Sequence, residues 1–302
     1  MHTEKSPMTN FFSPYNKKLL GLIRSMRPKQ WTKNLLLFAG IVFSHNLFDP
    51  RLLRLNVYGF LLFCIFSGSV YILNDIVDLE KDRIHPKKCK RPIASGLISR
   101  KEGMAFLILS FSAAFLLAYR IRPIFALIGL IYFLLVTFYS FYLKHIVIID
   151  VMTISIGFVL RAIAGTVLIG VAISPWLLLC TFLLSMFLAL QKRKGEQMLM
   201  AEEKEKSRKT LDEYTPALLD DMLHIVTSST VMAYSLYTFT GSHSIYMMGT
   251  IPFVIYGIFR YQYIVRTKGM GETPELVLLS DKPLIVNIAL WVVSCVIILY
   301  FL

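Results

Sequence analysis

Residues 57–82 read VYGFLLFCIFSGSVYILNDIVDLEKD, an apolar stretch that runs directly into a cluster of acids. An apolar run of about twenty residues matches a helix crossing the roughly 30 Å hydrocarbon core of a bilayer. Its end carries Asn74, Asp75, Asp78 and Asp82. On a helix, intervals of three and four residues place Asp75, Asp78 and Asp82 on one face over about two turns. Carboxylates so close repel one another, and a divalent cation is the usual remedy. Hard cations such as Mg²⁺ take one or two carboxylates and fill their remaining sites with water and phosphate oxygens. The stretch therefore predicts a membrane helix that ends in a Mg²⁺ site for a phosphorylated substrate.

The rest of the chain agrees with a membrane protein. Of its 302 residues, 56% are hydrophobic and only 17% charged, which excludes an ordinary soluble domain. Eight further apolar runs, near 35–49, 104–119, 123–142, 147–170, 174–190, 222–241, 245–264 and 284–302, raise the expectation to nine spans. With the N-terminus in the cytoplasm, the segments 1–34, 77–103, 143–146, 191–221 and 265–283 hold 26 of the 32 Lys and Arg residues. That asymmetry follows the positive-inside rule and predicts a multi-pass protein of the cell membrane. Both long loops, 77–103 and 191–221, then lie in the cytoplasm, so the active site is expected to face that side. Each follows an even-numbered span, which predicts two similar halves of about four helices.

The net charge of +13 is topological and serves attraction to anionic membrane lipids; no nucleic-acid motif accompanies it. Cys64, Cys180 and Cys295 fall in spans and Cys89 in a loop, so no disulfide framework is expected. Residues 1–16 are polar and read as a mobile tail without a cleavable signal, leaving 17–302 as a single transmembrane domain. The alternating charges of residues 202–209 read as a solvated helix face. A homo-oligomer is compatible with the sequence.

Four further groups of residues carry chemistry. Downstream of the acids come Arg83, Lys90 and Arg91, cations placed to neutralise diphosphate oxygens. Before the first run stands RPKQWTKN, residues 27–34, in which Lys29 and Lys33 share a helix face, Trp31 suits the membrane interface, and the Asn34 amide would enter hydrocarbon. In the middle of the chain lie Tyr139, Lys144, Asp150 and Arg161. Asp150 and Arg161 are about three turns apart on one face, and an intramembrane Arg normally faces a partner or a wet cavity. At the end of the sixth span, Lys192 and Arg193 precede Glu196.

The run Asn74–Asp82, followed by RPIASG at 91–96, resembles the UbiA-type superfamily of intramembrane prenyltransferases. Residues 27–34, Tyr139–Lys144, Asp150-Val151, GFVLRA at 157–162 and QKRKGE at 191–196 are similar to its decaprenyl-phosphate phosphoribosyltransferase branch. The resemblance covers about residues 20–302. It implies nine transmembrane helices around a central cavity with a cytoplasmic cap. It also implies transfer of 5-phosphoribose from phosphoribosyl pyrophosphate (PRPP) to a polyprenyl phosphate, with Mg²⁺ and release of pyrophosphate.

Prenyl-diphosphate users of that superfamily carry a second Asp-x-x-x-Asp at the end of span six, where this chain has Lys192-Arg193-Lys194-Gly195-Glu196. One acidic cluster suits one pyrophosphate, and a basic second site suits a monophosphate. The expected roles follow. Asn74, Asp75, Asp78 and Asp82 hold Mg²⁺, with the three aspartates as the catalytic group. Lys33, Asn34, Arg83, Lys90, Arg91, Tyr139, Lys144, Arg161, Lys192 and Arg193 bind substrate. The competing readings are an aromatic or quinone prenyltransferase using a prenyl diphosphate, which the missing second acidic motif disfavours, and a transporter or flippase. Apart from Arg161, the charges gather at the cytoplasmic mouth and not at the midplane, which disfavours the transporter.

Overall fold

The computed structural model describes residues 14–203, 213–240, 244–268, 277–278 and 280–302. The structure is 86% helical, and no strand occurs among the described residues. Among the described residues, eleven α-helices follow in order: α1 (Pro14–Ser25), α2 (Ala39–Phe43), α3 (Pro50–Val77), α4 (Leu79–Ile84), α5 (Arg100–Ile121), α6 (Pro123–Phe141), α7 (Ile149–Ile169), α8 (Pro175–Glu203), α9 (Pro216–Thr240), α10 (Ile251–Lys268) and α11 (Lys282–Phe301). Among them α3, α5, α6, α7, residues 175–198 of α8, and α11 are long and apolar enough to cross a membrane. The protein is thus a multi-pass membrane protein.

Sequence chemistry sets the helix ends. Pro50 opens α3, where its missing N–H costs nothing, and Asp49 caps it by accepting from Arg51 N at 2.8 Å. Ser99 and Glu102 form a reciprocal capping box at the start of α5. Gly170 ends α7 in the left-handed region at φ 74°. Asp281 caps α11, accepting from Leu284 N at 3.0 Å, while both its oxygens take Arg260 of α10 at 3.0 and 2.9 Å.

Six of the nine expected spans are helices of that kind. Two others, 222–241 and 245–264, correspond to α9 and to a 3₁₀ turn (Ile245–Thr250) leading into α10. The remaining run, 35–49, departs from expectation. A 3₁₀ helix covers Pro28–Phe38 and passes into the five-residue α2. The cause is close backbone packing: a Cβ on Gly165 of α7 would stand 2.0 Å from the Leu37 carbonyl oxygen. Only glycine lets the two backbones approach so closely. Three residues per turn also remove Lys29 and Lys33 from a common face, correcting the four-residue reading.

Two apolar cores share α7. Phe63, Phe66, Phe125, Tyr132, Ala164 and Leu168 join α7 to α3 and α6. Val151, Phe187, Leu190, Tyr214, Leu223 and Tyr261 join it to α8, α9 and α10. α7 thus belongs both to the core it shares with α3 and α6 and to the core it shares with α8, α9 and α10. The expected tail lies mostly outside the described residues, as do positions 204–209 of the expected solvated face.

Candidate functional site

One end of the bundle gathers Arg27, the acidic stretch, the end of α6, the start of α7 and the end of α8. The acidic stretch does not form one continuous helix. Asp78 ends α3 with φ −86° and ψ 10°, and α4 restarts at Leu79. The three aspartates therefore do not stack on one straight face, contrary to the spacing argument.

Asp75 and Asp82 nevertheless converge, because one guanidinium joins them. Arg91 Nη1 lies 3.2 Å from Asp75 Oδ1 and 2.5 Å from Asp82 Oδ2. Arg27 adds a second ion pair, Nη2 to Asp75 Oδ1 at 2.6 Å, and stacks over Tyr71 at 4.7 Å. Both aspartates are buried, at 2% and 3% exposure, so each needs this compensation. Arg27 holds its place with φ 52°, just before Pro28. Neither its left-handed backbone nor its partner was legible from the sequence.

No group of three or more His, Cys, Asp or Glu side chains closes around a metal position among the described residues. The donors themselves fit Mg²⁺. Two carboxylates reach a common point, and oxygen-only donors suit a hard cation. Asn74 donates its Nδ2 to Ser140 Oγ at 3.1 Å, which leaves its amide oxygen available as a neutral ligand. Asp78 is half-buried at the break between the two helices.

The cations of the first loop divide. Arg91 is committed to the acids, whereas Arg83 is half-exposed and pairs with Glu80 at 3.2 Å. Lys90 is exposed on a short 3₁₀ turn, Lys88–Lys90. Lys33 and Lys144 are half-buried at the same end.

Arg161 and Asp150 share α7 but not a bond. Arg161 is 5% exposed and donates from Nε to Asn34 Oδ1 at 2.9 Å, from Nη1 to Gly157 O at 2.9 Å and from Nη2 to the Tyr132 hydroxyl at 2.6 Å. Its guanidinium also lies over the Tyr132 and Phe158 rings, at 4.6 and 4.9 Å. Asn34 in turn donates to Ser67 Oγ at 3.0 Å and contacts Cys64 Sγ at 3.3 Å. The amide that would have entered hydrocarbon is thus satisfied inside the protein, and Arg161 is its partner.

Asp150 pairs across helices with Arg193 Nε at 2.8 Å, and its other oxygen accepts from the Tyr214 hydroxyl at 2.6 Å. Arg193 also bonds Glu196, and Tyr139 Oη at 3.3 Å. The second site is therefore not simply basic. Its guanidinium joins two acids, as Arg91 does on the other side, and Lys192 keeps 42% of its side chain exposed, 3.8 Å from Glu196. Sequence reasoning placed Asp150 with Arg161 and did not single out Tyr214.

Beyond Asn34 and Arg161 lies a cavity of about 890 Å³, lined by Leu35, Phe158, Leu184, Trp176, Tyr237 and Trp291 among others. Leu35 follows Asn34, and Phe158 carries the Arg161 guanidinium, so the cavity begins next to this buried pair. Two of the lining hydroxyls turn away: Ser185 and Thr230 each donate at 2.7 Å to a carbonyl of their own helix. What remains is an apolar chamber.

Comparison with known proteins adds four likenesses. A family model described as the UbiA prenyltransferase family matches residues 35–280. The chain is 36% identical to a decaprenyl-phosphate phosphoribosyltransferase of Corynebacterium glutamicum, over 93% of this chain and 87% of that protein. It is 31% identical to one of Mycolicibacterium smegmatis, over 95% of each. A solved UbiA homolog from Archaeoglobus fulgidus, bound to GPP and Mg²⁺, superimposes with a TM-score of 0.68 at 20% identity, covering 92% of this chain and 99% of that one.

Proposed function

Since the chain belongs to the UbiA prenyltransferase family, we propose that it transfers 5-phosphoribose from PRPP to a decaprenyl-like polyprenyl phosphate and releases pyrophosphate. The observation that carries this reading is the 36% identity, across 93% of the chain, to a protein named for that activity. The geometry supports it: a pair of acids stands at one end of the bundle, and a chamber fit for a lipid tail lies beyond Asn34 and Arg161.

Asp75, Asp78 and Asp82, with the Asn74 amide oxygen, would hold Mg²⁺ against the pyrophosphate of the donor. When bound, the ion supplies neutralisation of the diphosphate charge that grows as the leaving group departs. Arg27 and Arg91 then have phosphate oxygens as alternative partners, and Arg83 and Lys90 supply further positive charge from the loop. Lys33, Lys144 and Lys192, with Arg193 and Tyr139, bind the acceptor phosphate and the ribose 5-phosphate. Asn34 and Arg161 fix the polar end of the chamber that receives the polyprenyl tail.

No general base is required. A phosphate monoester is mostly dianionic near neutral pH, with a second pKa of about 6. One of its oxygens forms the new bond to ribose C1 as the bond from C1 to pyrophosphate breaks, with inversion at that carbon. Residues 17–302 act as one catalytic domain in the cell membrane, with the acidic end facing the cytoplasm where PRPP is available.

The test is direct assay of purified protein in detergent with Mg²⁺, ribose-labelled PRPP and a polyprenyl phosphate. Labelled lipid supports the reading. Absence of labelled lipid, with prenylation of an aromatic acid from a prenyl diphosphate, replaces it with the quinone-type reaction.

A further inference from the structure

Tyr214 lies just before α9 and is 1% exposed, although a phenol hydroxyl in a core needs partners. It has two. The hydroxyl donates to Asp150 Oδ1 at 2.6 Å and accepts from Ile148 N at 2.8 Å. Burial, and then the Asp150 carboxylate, push the phenol's pKa up, so it stays protonated and able to donate.

The second partner is unusual. Ile148 has φ 69° and ψ −48°, a region that β-branched residues avoid. Ile149 N reaches back to Val147 O at 2.8 Å, which closes a three-residue γ-turn of the strained hand. Such a conformation is strained and persists where its surroundings over-determine it. Here the Tyr214 hydroxyl accepts the N–H of the strained residue and grips the carboxylate two positions on. That carboxylate holds Arg193 at 2.8 Å, and Arg193 reaches Tyr139 at 3.3 Å. Next to Tyr139, Ser140 accepts the Asn74 amide at 3.1 Å, beside the acidic pair.

We propose that Tyr214 is a positioning residue: its hydroxyl fixes Asp150, and through it aims the Arg193 guanidinium beside Tyr139 and the acidic site. The segment that leads into α9 thereby sets the geometry of the second cationic site. A phenylalanine would fill the same core volume and leave Ile148 N and Asp150 Oδ1 without this partner. The hydroxyl, and not the ring, carries the role.

The kinetic part of the proposal rests on the phosphoribosyl-transfer reading; its structural part does not. Wild type, Tyr214→Phe, Arg193→Lys and the double variant are compared. Modification of Arg193 by phenylglyoxal, followed by peptide mass, needs no substrate. It should run several-fold faster in Tyr214→Phe, and an unchanged rate overturns the proposal. In the transfer assay Tyr214→Phe should raise KM for PRPP or for the lipid phosphate about tenfold, the loss of one hydrogen bond to a charged group, with kcat within about twofold. The double variant should match Arg193→Lys alone, and multiplying effects would overturn the coupling. A wild type that makes no phosphoribosyl lipid defeats the transferase reading and leaves the labelling rate to decide this one.

Discussion

Arg91 stands 2.5 Å from Asp82 through its Nη1, and the same nitrogen is 3.2 Å from Asp75 Oδ1. The guanidinium therefore occupies the point at which the two carboxylates of the proposed metal site meet. A cation entering that point competes with Arg91 for the same oxygens, and the displaced guanidinium becomes free to bind diphosphate.

Arg91→Ala should consequently have opposite effects on metal and on catalysis. Binding of Mn²⁺ in the absence of substrate, followed by its paramagnetic signal, should tighten because the competing cation is gone. Transfer should fall by about a hundredfold or more, as when one preorganised partner of a charged leaving group is removed. Weaker Mn²⁺ binding in the variant would show that Arg91 supports the metal site instead of competing with it.

Asp75→Asn and Asp82→Asn keep the side-chain shape and remove the charge. Each should lower transfer by at least about a hundredfold, with no recovery at high Mg²⁺. Asp75→Asn also removes the negative charge that Arg27 faces at 2.6 Å, so its thermal midpoint should fall as well. Retained activity in both variants would remove the metal role from this pair.

Arg161 makes three buried hydrogen bonds, to Asn34, Gly157 and Tyr132. Arg161→Met should destabilise the protein by roughly 3–5 kcal/mol, because the Asn34 and Tyr132 oxygens are left buried without their donor. Arg161→Lys should not rescue it, since an ammonium cannot reproduce the planar fork. Unfolding in detergent measures this, and a lysine variant of wild-type stability would contradict the account.

Gly165→Ala puts a methyl against a backbone oxygen at 2.0 Å, which no side-chain rotation relieves. The 3₁₀ segment carrying Asn34 must then move away from α7, at a cost of about 1–3 kcal/mol or more. Thermal midpoint and transfer should fall together. Gly249, with open space around its Cβ position, is the control that should tolerate alanine.

Much of this was readable in the chain, and the exceptions share one cause. The six long helices follow from runs of apolar residues, since burial in lipid depends on composition that a sequence displays. The 3₁₀ path over Pro28–Phe38 depends on Gly165, more than a hundred positions away, so hydropathy there indicated an ordinary span. Intervals of three and four likewise describe one helix as well as two short ones, and the break at Asp78 appears only in the backbone. The acids of the site were evident, but their partners Arg27 and Arg91 come from different elements. Asp150 and Arg161 looked like partners because they share a face, yet each is satisfied by a residue on another segment.

The central claim is that the acidic site handles the pyrophosphate of PRPP while a lipid phosphate attacks ribose C1. It is tested most directly with PRPP labelled separately in the ribose and in the terminal phosphate, incubated with Mg²⁺ and polyprenyl phosphate. The account predicts that ribose label enters the lipid fraction while terminal-phosphate label appears only as free pyrophosphate, in equal amounts. Terminal-phosphate label in the lipid, or no ribose label there at all, would contradict it.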